Sequence, residues 1–175
     1  MSSVQGSHSF AAWLSGTPAS LSIKSVSWVI PLVQSVHIVM IGVVFVSCLM
    51  IALRVLGVMR TDQPVGAVWR RFAPWMWSGL VVMAATGLTL VIGEPEREFD
   101  AVSFWVKMLL IAVGVGGTAL YGRSLKAAAA GATGEFPVSS KAASILVVIV
   151  WLAVIFFGRA IAYDKQVWGA LSPHA

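Results

Sequence analysis

The sequence predicts an all-α fold, an integral membrane four-helix bundle preceded by short amphipathic helices at the membrane interface. The chain has 175 residues, of which 58% are hydrophobic and 11% charged, and its mean hydropathy is +0.88. Soluble domains are about 45–50% apolar and about 25% charged, and a chain of this size cannot bury so large an excess. The apolar residues also form four runs of roughly 20 residues, the length that crosses a bilayer.

The first predicted element is an interfacial segment that covers residues 1–30. Within it, Phe10, Trp13 and Leu14 have helical spacing, and a break follows at Gly16 and Pro18. Short amphipathic pieces of this kind lie on a membrane surface with their apolar side inward. We therefore expect residues 1–30 to anchor the chain at the outer surface.

Four predicted spans follow, at residues 31–56, 75–92, 102–121 and 142–162. They form a membrane domain of residues 31–163, and residues 164–175 form a tail. Pro31 and Pro74 suit a first helical turn, where no backbone donor is needed. Asp100 or Ser140 could accept hydrogen bonds from the first free amides of the third and fourth spans.

Charge is distributed unevenly between the connections. Seven of the twelve basic residues flank the first and third connections: Arg54, Arg60, Arg70, Arg71, Arg123, Lys126 and Lys141. Four acidic residues lie in the second connection: Glu94, Glu96, Glu98 and Asp100. The positive-inside rule places the basic connections in the cytoplasm and both termini outside. Orientation thus accounts for the pI of about 9.9, and we expect no nucleic-acid partner.

This orientation predicts that the 94–100 connection faces the periplasm. A cysteine introduced there, in a chain without Cys48, is expected to react with a membrane-impermeant maleimide in intact cells. Labelling that needs access to the cytoplasm would reverse the orientation of all four spans.

Small residues recur along the second and third spans. Gly114, Thr118 and Gly122 are spaced at successive helical turns, and Gly79 and Gly87 lie along the second span. Helices approach each other closely at small residues in membranes, so we expect these positions to form contacts within the bundle.

Six tryptophans lie mostly near the predicted span ends: Trp69, Trp75, Trp77, Trp105, Trp151 and Trp168. An indole at the interface buries its ring and keeps its N–H hydrated. We therefore expect an interfacial belt of tryptophans.

Three ionisable side chains lie inside the predicted spans: His37, Lys107 and Arg159. Such groups are costly in a membrane and are candidates for a functional site. At about 1.5 Å per residue, all three occupy the outer third of the membrane, and Gln34 shares a helix face with His37. We predict a cofactor-binding site of His37, Gln34, Lys107 and Arg159, with His37 as the metal ligand.

Several chemistries fit this group. A neutral imidazole could ligate the iron of haem b, donate to a quinone carbonyl or bind copper. Lys107 and Arg159 could meet haem propionates or a quinone headgroup. They could also extend to the lipid headgroups, or pair with one of the acidic residues Glu94, Glu96, Glu98, Asp100 and Asp164. Alternatively, Gln34 could satisfy the ring of a purely structural His37.

A second axial ligand for haem is not obvious, because the spans contain no other histidine. Met40, Met83, Met108 or the His37 of another copy could take that place. The spans lack carboxylate pairs, a Ser-His-Asp set and phosphate-binding glycine loops, so we predict no catalytic residues and no catalytic activity of the chain's own.

A series of short motifs extends over most of the chain. They are Trp13-Leu14, Thr17-Pro18, Trp28, Pro31, Gln34-Ser35-Val36-His37, Leu53-Arg54-Val55-Leu56-Gly57, Pro74-Trp75, Thr86-Gly87, Phe104, Lys107-Met108-Leu109-Leu110 and Gly158-Arg159-Ala160-Ile161-Ala162-Tyr163. In this order they resemble a bacterial family of small integral membrane proteins, the domain of unknown function numbered six thousand six hundred and forty-four. The resemblance implies a four-helix membrane fold and no established activity. It extends distantly to small bacterial membrane proteins with haem or copper connections.

The chain departs from the family's pattern in two places. Members often carry an aspartate before the Leu-Arg pair and a histidine at the end of the third span, where this chain has Ala52 and Gly122 or its neighbours. The second difference removes the partner ligand that a haem would need.

These observations predict a multi-pass protein of the bacterial inner membrane with both termini periplasmic. We expect a subunit or accessory protein of a membrane complex with a periplasm-side redox role near His37, through haem b or quinone. The expected partners are the lipid bilayer and other membrane subunits or a second copy. The alternatives are a structural module that docks a partner and, third, copper handling.

Overall fold

The computed structural model describes residues 10–129 and 138–169. Their helices are α1 (residues 10–15), α2 (Pro18–Ser25), α3 (Val29–Val55), α4 (Val65–Gly93), α5 (Pro95–Phe99), α6 (Val102–Ala129), α7 (Val138–Ala160) and α8 (Asp164–Trp168), with a 3₁₀ turn at Ile161–Tyr163. Four helices, α3, α4, α6 and α7, are long and apolar enough to cross a membrane. The predicted all-α fold with four spans is confirmed, and the chain is a multi-pass membrane protein.

The start of α4 differs most from the sequence prediction. The helix begins at Val65, so Pro74 lies inside α4 and not at its first turn. Val65, Val68 and Trp69 recur at helical spacing and are buried in the core. A helix that packs against a core needs only one apolar face. The apolar face of residues 65–74 is buried in this way, so α4 begins ten residues before the predicted span.

One further boundary expectation is corrected, and another agrees with the structure. Ser140 lies inside α7, where its carbonyl accepts a hydrogen bond from the Ser144 hydroxyl. The break at Gly16 is present, and Thr17 caps α2 by accepting from the Ser20 amide. The residue at which a helix ends depends on the side chains that the fold brings to it, so hydropathy along the chain does not predict helix ends closely.

The four spans form a bundle in which α3 packs against α4 and α7, and α6 packs against α7. Because successive spans alternate in direction, the bundle has two chemically different ends. The acidic end contains the start of α3, the end of α4, α5, the start of α6 and the end of α7. The basic end contains the 56–64 connection, the start of α4 and the end of α6.

Glycines allow the spans to approach closely. A side chain at Gly79 would come within 2.9 Å of Val44 on α3, and one at Gly114 within 3.3 Å of Val150 on α7. At Gly122 a Cβ would lie 2.3 Å from the Trp69 ring of α4. The small residues therefore form contacts between helices of the same chain.

Two of the tryptophans belong to the core and not to an interfacial belt. Trp151 is 2% exposed, and its indole donates to the Thr118 hydroxyl at 3.2 Å. Trp69 is 9% exposed and packs on Gly122. Each ring fills space that a small residue on α6 leaves open, so the glycine and threonine positions determine where these indoles lie. Trp75 and Trp105 are exposed, as a belt requires.

Buried polar pairs cross the helix interfaces. The Tyr121 hydroxyl on α6 hydrogen-bonds to Ser144 on α7. The Cys48 thiol on α3 lies 3.3 Å from the sulfur of Met76 on α4. Each pair matches polar or polarisable atoms across neighbouring helices and so specifies their register.

Asp164 connects the end of the last span to the start of α6. Its carboxylate accepts from the backbone amides of Val102 and Ser103, the latter at 3.0 Å, and from the Ser103 hydroxyl at 2.7 Å. The Ser103 oxygen also accepts from the Trp168 indole at 2.8 Å. A carboxylate at a helix N-terminus satisfies free amides and is favoured by the helix dipole.

The contact between Gly122 and Trp69 is expected to be sensitive to a single methyl group. Gly122→Ala should lower the free energy of unfolding in detergent by about 1–3 kcal/mol, because the indole must move out of a packed interface. Gly116→Ala on the same helix is the control, since no atom lies within 4 Å of its added Cβ. Thermal unfolding of the two variants measures this difference, and equal midpoints would contradict the packing.

Candidate functional site

The most polar contact between α3 and α4 lies toward the acidic end, where His37 meets Thr86. The ring Nδ1 atom is 2.8 Å from the Thr86 hydroxyl oxygen, and both residues are half-buried. His37 is about 12 Å along α3 from its start, at about 1.5 Å per residue. The imidazole therefore lies inside the span and bonds to a neighbouring helix.

The hydrogen bonds of Thr86 favour one tautomer of His37. The Thr86 hydroxyl donates within its own helix, to the carbonyl of Val82 at 2.8 Å or of Met83 at 3.2 Å. A hydroxyl has one hydrogen, so when Thr86 donates to a backbone carbonyl its oxygen is the acceptor toward His37. We infer that Nδ1 donates and that, in the neutral ring, Nε2 keeps its lone pair.

The edge of the ring next to Nε2 lies against a glycine. A Cβ at Gly87 would be 3.4 Å from the His37 Cε1 atom, so the missing side chain leaves room beside this carbon. Within the described residues, Nε2 makes no hydrogen bond. A histidine whose Nδ1–H is oriented by a second residue, and whose Nε2 is available, has the arrangement found in ligand-binding histidines.

Lys107 brings a positive charge to the same region from α6. Its side chain extends along α7 over Gly158, where an added Cβ would lie 3.7 Å from Cε and 3.9 Å from Nζ. The charge of Lys107 interacts with His37 and with Glu98 of α5. Elements from all four spans and from α5 thus lie in one region of the acidic end. We call this region the acidic-end site: His37, Thr86, Gly87, Glu98, Lys107 and Gly158.

Glu98 is the carboxylate of this site, and it lies outside the membrane-spanning segments. Burial raises the pKa of the Glu98 carboxyl, and the positive charges of Lys107 and Arg97 oppose this effect in part. Arg97 itself forms an ion pair with Glu94 at 2.6 Å. Glu98 is thus more easily protonated than an exposed glutamate.

Two of the four predicted site residues do not join this group. Arg159 is exposed, its guanidinium lies 5.1 Å from the centre of the Tyr163 ring, and it donates to the Tyr163 hydroxyl at 3.1 Å. Gln34 is half-buried on the His37 face, but it is Thr86 that bonds to His37. The structure therefore brings together His37 and Lys107 and replaces Gln34 by Thr86.

The sequence prediction missed Thr86, Gly87 and Gly158, and it gave Glu98 only as one possible ion-pair partner of the intramembrane cations. A threonine and two glycines in apolar spans have no chemistry that distinguishes them from packing residues. A signal was nevertheless present, because Thr86-Gly87 and Gly158 belong to motifs that carry the family resemblance, as do His37 and Lys107. These scattered motifs meet in space.

The sulfur ligands that copper would need lie elsewhere. Cys48 and Met76 contact each other in the core, and Cys48 is about 16 Å along α3 from His37. In the described ranges no group of three histidine, cysteine or acidic side chains converges as a metal site would require.

The fold and the site together define a small four-span membrane protein with a polar group buried near one end. Residues 24–164 match the family of unknown function DUF6644, and the chain belongs to this family. The resemblance found in the sequence is confirmed over that range. No curated protein and no solved structure matches the chain.

The bond between His37 and Thr86 predicts a specific effect of removing the hydroxyl. Thr86→Val should destabilise the protein by about 1 kcal/mol, because the Nδ1–H loses its acceptor in a half-buried setting. Thr89→Val is the matched control, since the Thr89 hydroxyl bonds only to the Ala85 carbonyl of its own helix and is exposed.

Nitrogen-15 NMR of labelled histidine provides a second measurement. The unmodified chain should show the Nδ1–H tautomer of His37, and Thr86→Val should shift the ring toward the Nε2–H form. Identical spectra and equal unfolding midpoints for the two threonine variants would contradict the proposed role of Thr86.

Proposed function

We propose that this protein is an inner-membrane subunit or accessory protein that binds the headgroup of a membrane quinone at the acidic-end site, on the periplasmic side. Both termini and the acidic end would then face the periplasm, as the distribution of basic residues favours. The observation that carries the proposal is the bond from His37 to Thr86, which leaves the Nε2 lone pair available beside the Lys107 cation.

A quinone headgroup needs complementary donors and acceptors. The ammonium of Lys107 donates to a quinone carbonyl, and the lone pair of His37 Nε2 accepts from a quinol hydroxyl. The isoprenoid tail of a quinone is apolar and would remain among the lipid-facing side chains of the spans. Such a ligand requires few polar contacts, which suits a site built from one histidine and one lysine.

Glu98 supplies a route for a proton from the site toward the aqueous side. It follows the end of α4, outside the spans, and its charge interacts with that of Lys107. A buried carboxyl with a raised pKa takes up a proton more readily than an exposed one. The chain's own residues would bind and orient the headgroup and accept a proton, and a redox partner subunit would exchange the electrons.

Haem b is the other ligand that the available Nε2 could accommodate, with His37 as an axial ligand. The quinone proposal has more support, because it uses Lys107 as well as His37, whereas haem would need a second axial ligand. Copper handling has less support, since the sulfur atoms of Cys48 and Met76 lie in a separate part of the core.

The proposal predicts that the chain retains quinone and that His37→Ala loses it. The protein is purified in mild detergent, and quinone is extracted and quantified per chain by chromatography. We expect the quinone content to fall about threefold to tenfold in His37→Ala, since a hydrogen bond contributes about 0.5–1.5 kcal/mol and about 1.4 kcal/mol corresponds to a factor of ten. Lys107→Met, which keeps most of the side-chain length, should also lower it.

Ser35→Ala is the control variant, because Ser35 lies on the same helix but is exposed and bonds only to the Pro31 carbonyl. Absorption spectra of oxidised and dithionite-reduced protein distinguish the ligands. A Soret band that is present in the unmodified protein and absent in His37→Ala would identify haem b, and not quinone, as the ligand of this site. Quinone content that does not change in His37→Ala would overturn the site, and absence of both ligands would favour the structural, partner-docking role.

A further inference from the structure

A second candidate site lies at the basic end, far from His37. A cavity of about 330 Å³ opens on the side of α4 and is lined by Trp69, Arg70, Ala73, Pro74 and Trp77. These residues follow one another on a single face of the helix. The cavity is therefore a groove that runs along α4, and we call it the α4 groove.

The groove has one charged residue and otherwise apolar walls. Arg70 is exposed at its mouth, while Trp69 and Ala73 are buried and form its floor. Pro74 has no amide hydrogen, so the Arg70 carbonyl lacks the partner that it would have in an uninterrupted helix. The lining thus offers a cation, a carbonyl without its usual i+4 amide donor, and two indole rings.

The groove extends from the membrane surface into the span, as a lipid molecule does. Arg70 is about 8 Å from the start of α4, at about 1.5 Å per residue, and Trp77 is about 10 Å deeper. Arg70 belongs to the seven basic residues that flank the connections of this end. A ligand in the groove would have its charged part near Arg70 and its apolar part beside Trp77, within the span.

The packing of the bundle explains why the groove exists. α4 and α6 make far fewer contacts with each other than α3 and α4 do. The Trp69 ring bridges to Gly122 of α6 and closes the space behind the groove. The outer side remains open toward the lipid.

We propose that the α4 groove binds an anionic phospholipid, with its phosphate against the Arg70 guanidinium and an acyl chain along Ala73 and Trp77. An arginine binds phosphate through several N–H groups at once, and basic pockets beside spans recognise anionic headgroups. A hydroxyl of the headgroup can donate to the Arg70 carbonyl, which has no amide donor at Pro74. The apolar walls favour a ligand that carries an acyl chain over a soluble anion.

Native mass spectrometry of the full chain tests this proposal with two lipids that share the same acyl chains. Phosphatidylglycerol is expected to bind in preference to phosphatidylcholine. Arg70→Ala should lower the phosphatidylglycerol occupancy about fivefold to tenfold, as expected for the loss of a basic contact. Arg71→Ala is the matched control, because Arg71 is also exposed but does not line the groove. Phosphatidylglycerol occupancy in Arg71→Ala should stay within about twofold of that in the unmodified chain.

A second pair of variants tests the apolar wall. Trp77→Ala should weaken binding of phosphatidylglycerol, whereas Trp75→Ala, on a different face of α4, should leave it unchanged. Equal effects of Arg70→Ala and Arg71→Ala would show attraction to the whole basic surface and overturn the site. Equal binding of the two lipids, or displacement by inorganic phosphate at the same concentration, would overturn it as well.

Discussion

The structure depends on one constraint: a polar side chain inside a membrane must find its partner within the bundle. Among the described residues, three such partnerships join neighbouring spans: His37 with Thr86, Trp151 with Thr118, and Tyr121 with Ser144. Asp164, just after the last span, likewise bonds to the start of α6. Each determines how two elements are rotated and aligned, because a shift by one residue would leave a polar atom facing hydrocarbon.

Close packing acts together with this constraint. Lipid tails are as apolar as leucine, so burial of apolar surface does not by itself select one arrangement of helices. Glycines do, because they allow a neighbouring side chain into the space that a Cβ would fill. The Trp69 ring on Gly122 is the clearest case, and the same ring forms the floor of the α4 groove. One contact thus stabilises the bundle and shapes a surface that faces the lipid.

The two ends of the bundle have different chemistry and, in our proposals, different roles. The acidic end combines a histidine with an available nitrogen, a lysine and a glutamate around elements of all four spans. The basic end offers an arginine above an apolar groove. A quinone and an anionic phospholipid both join a polar head to an apolar tail, so each suits a site at the level where the spans leave the hydrocarbon.

The sequence by itself determined the number of spans, the all-helical class, the unequal charge of the two ends and the presence of His37 and Lys107 inside the spans. These properties are sums or spacings along the chain, and a charge within an apolar run can be recognised before its partners are known. The family resemblance marked Thr86-Gly87 and Gly158 without indicating a role for them.

Only the tertiary structure decided which residues meet. That His37 bonds to Thr86, that Lys107 extends over Gly158, and that Asp164 caps α6 all depend on how helices distant in sequence are rotated about their axes. The same holds for Trp69 and Trp151, which lie in the core because small residues of α6 face them. Hydropathy identifies a span but not the side of it that faces a neighbour, since nearly every residue of a span is apolar.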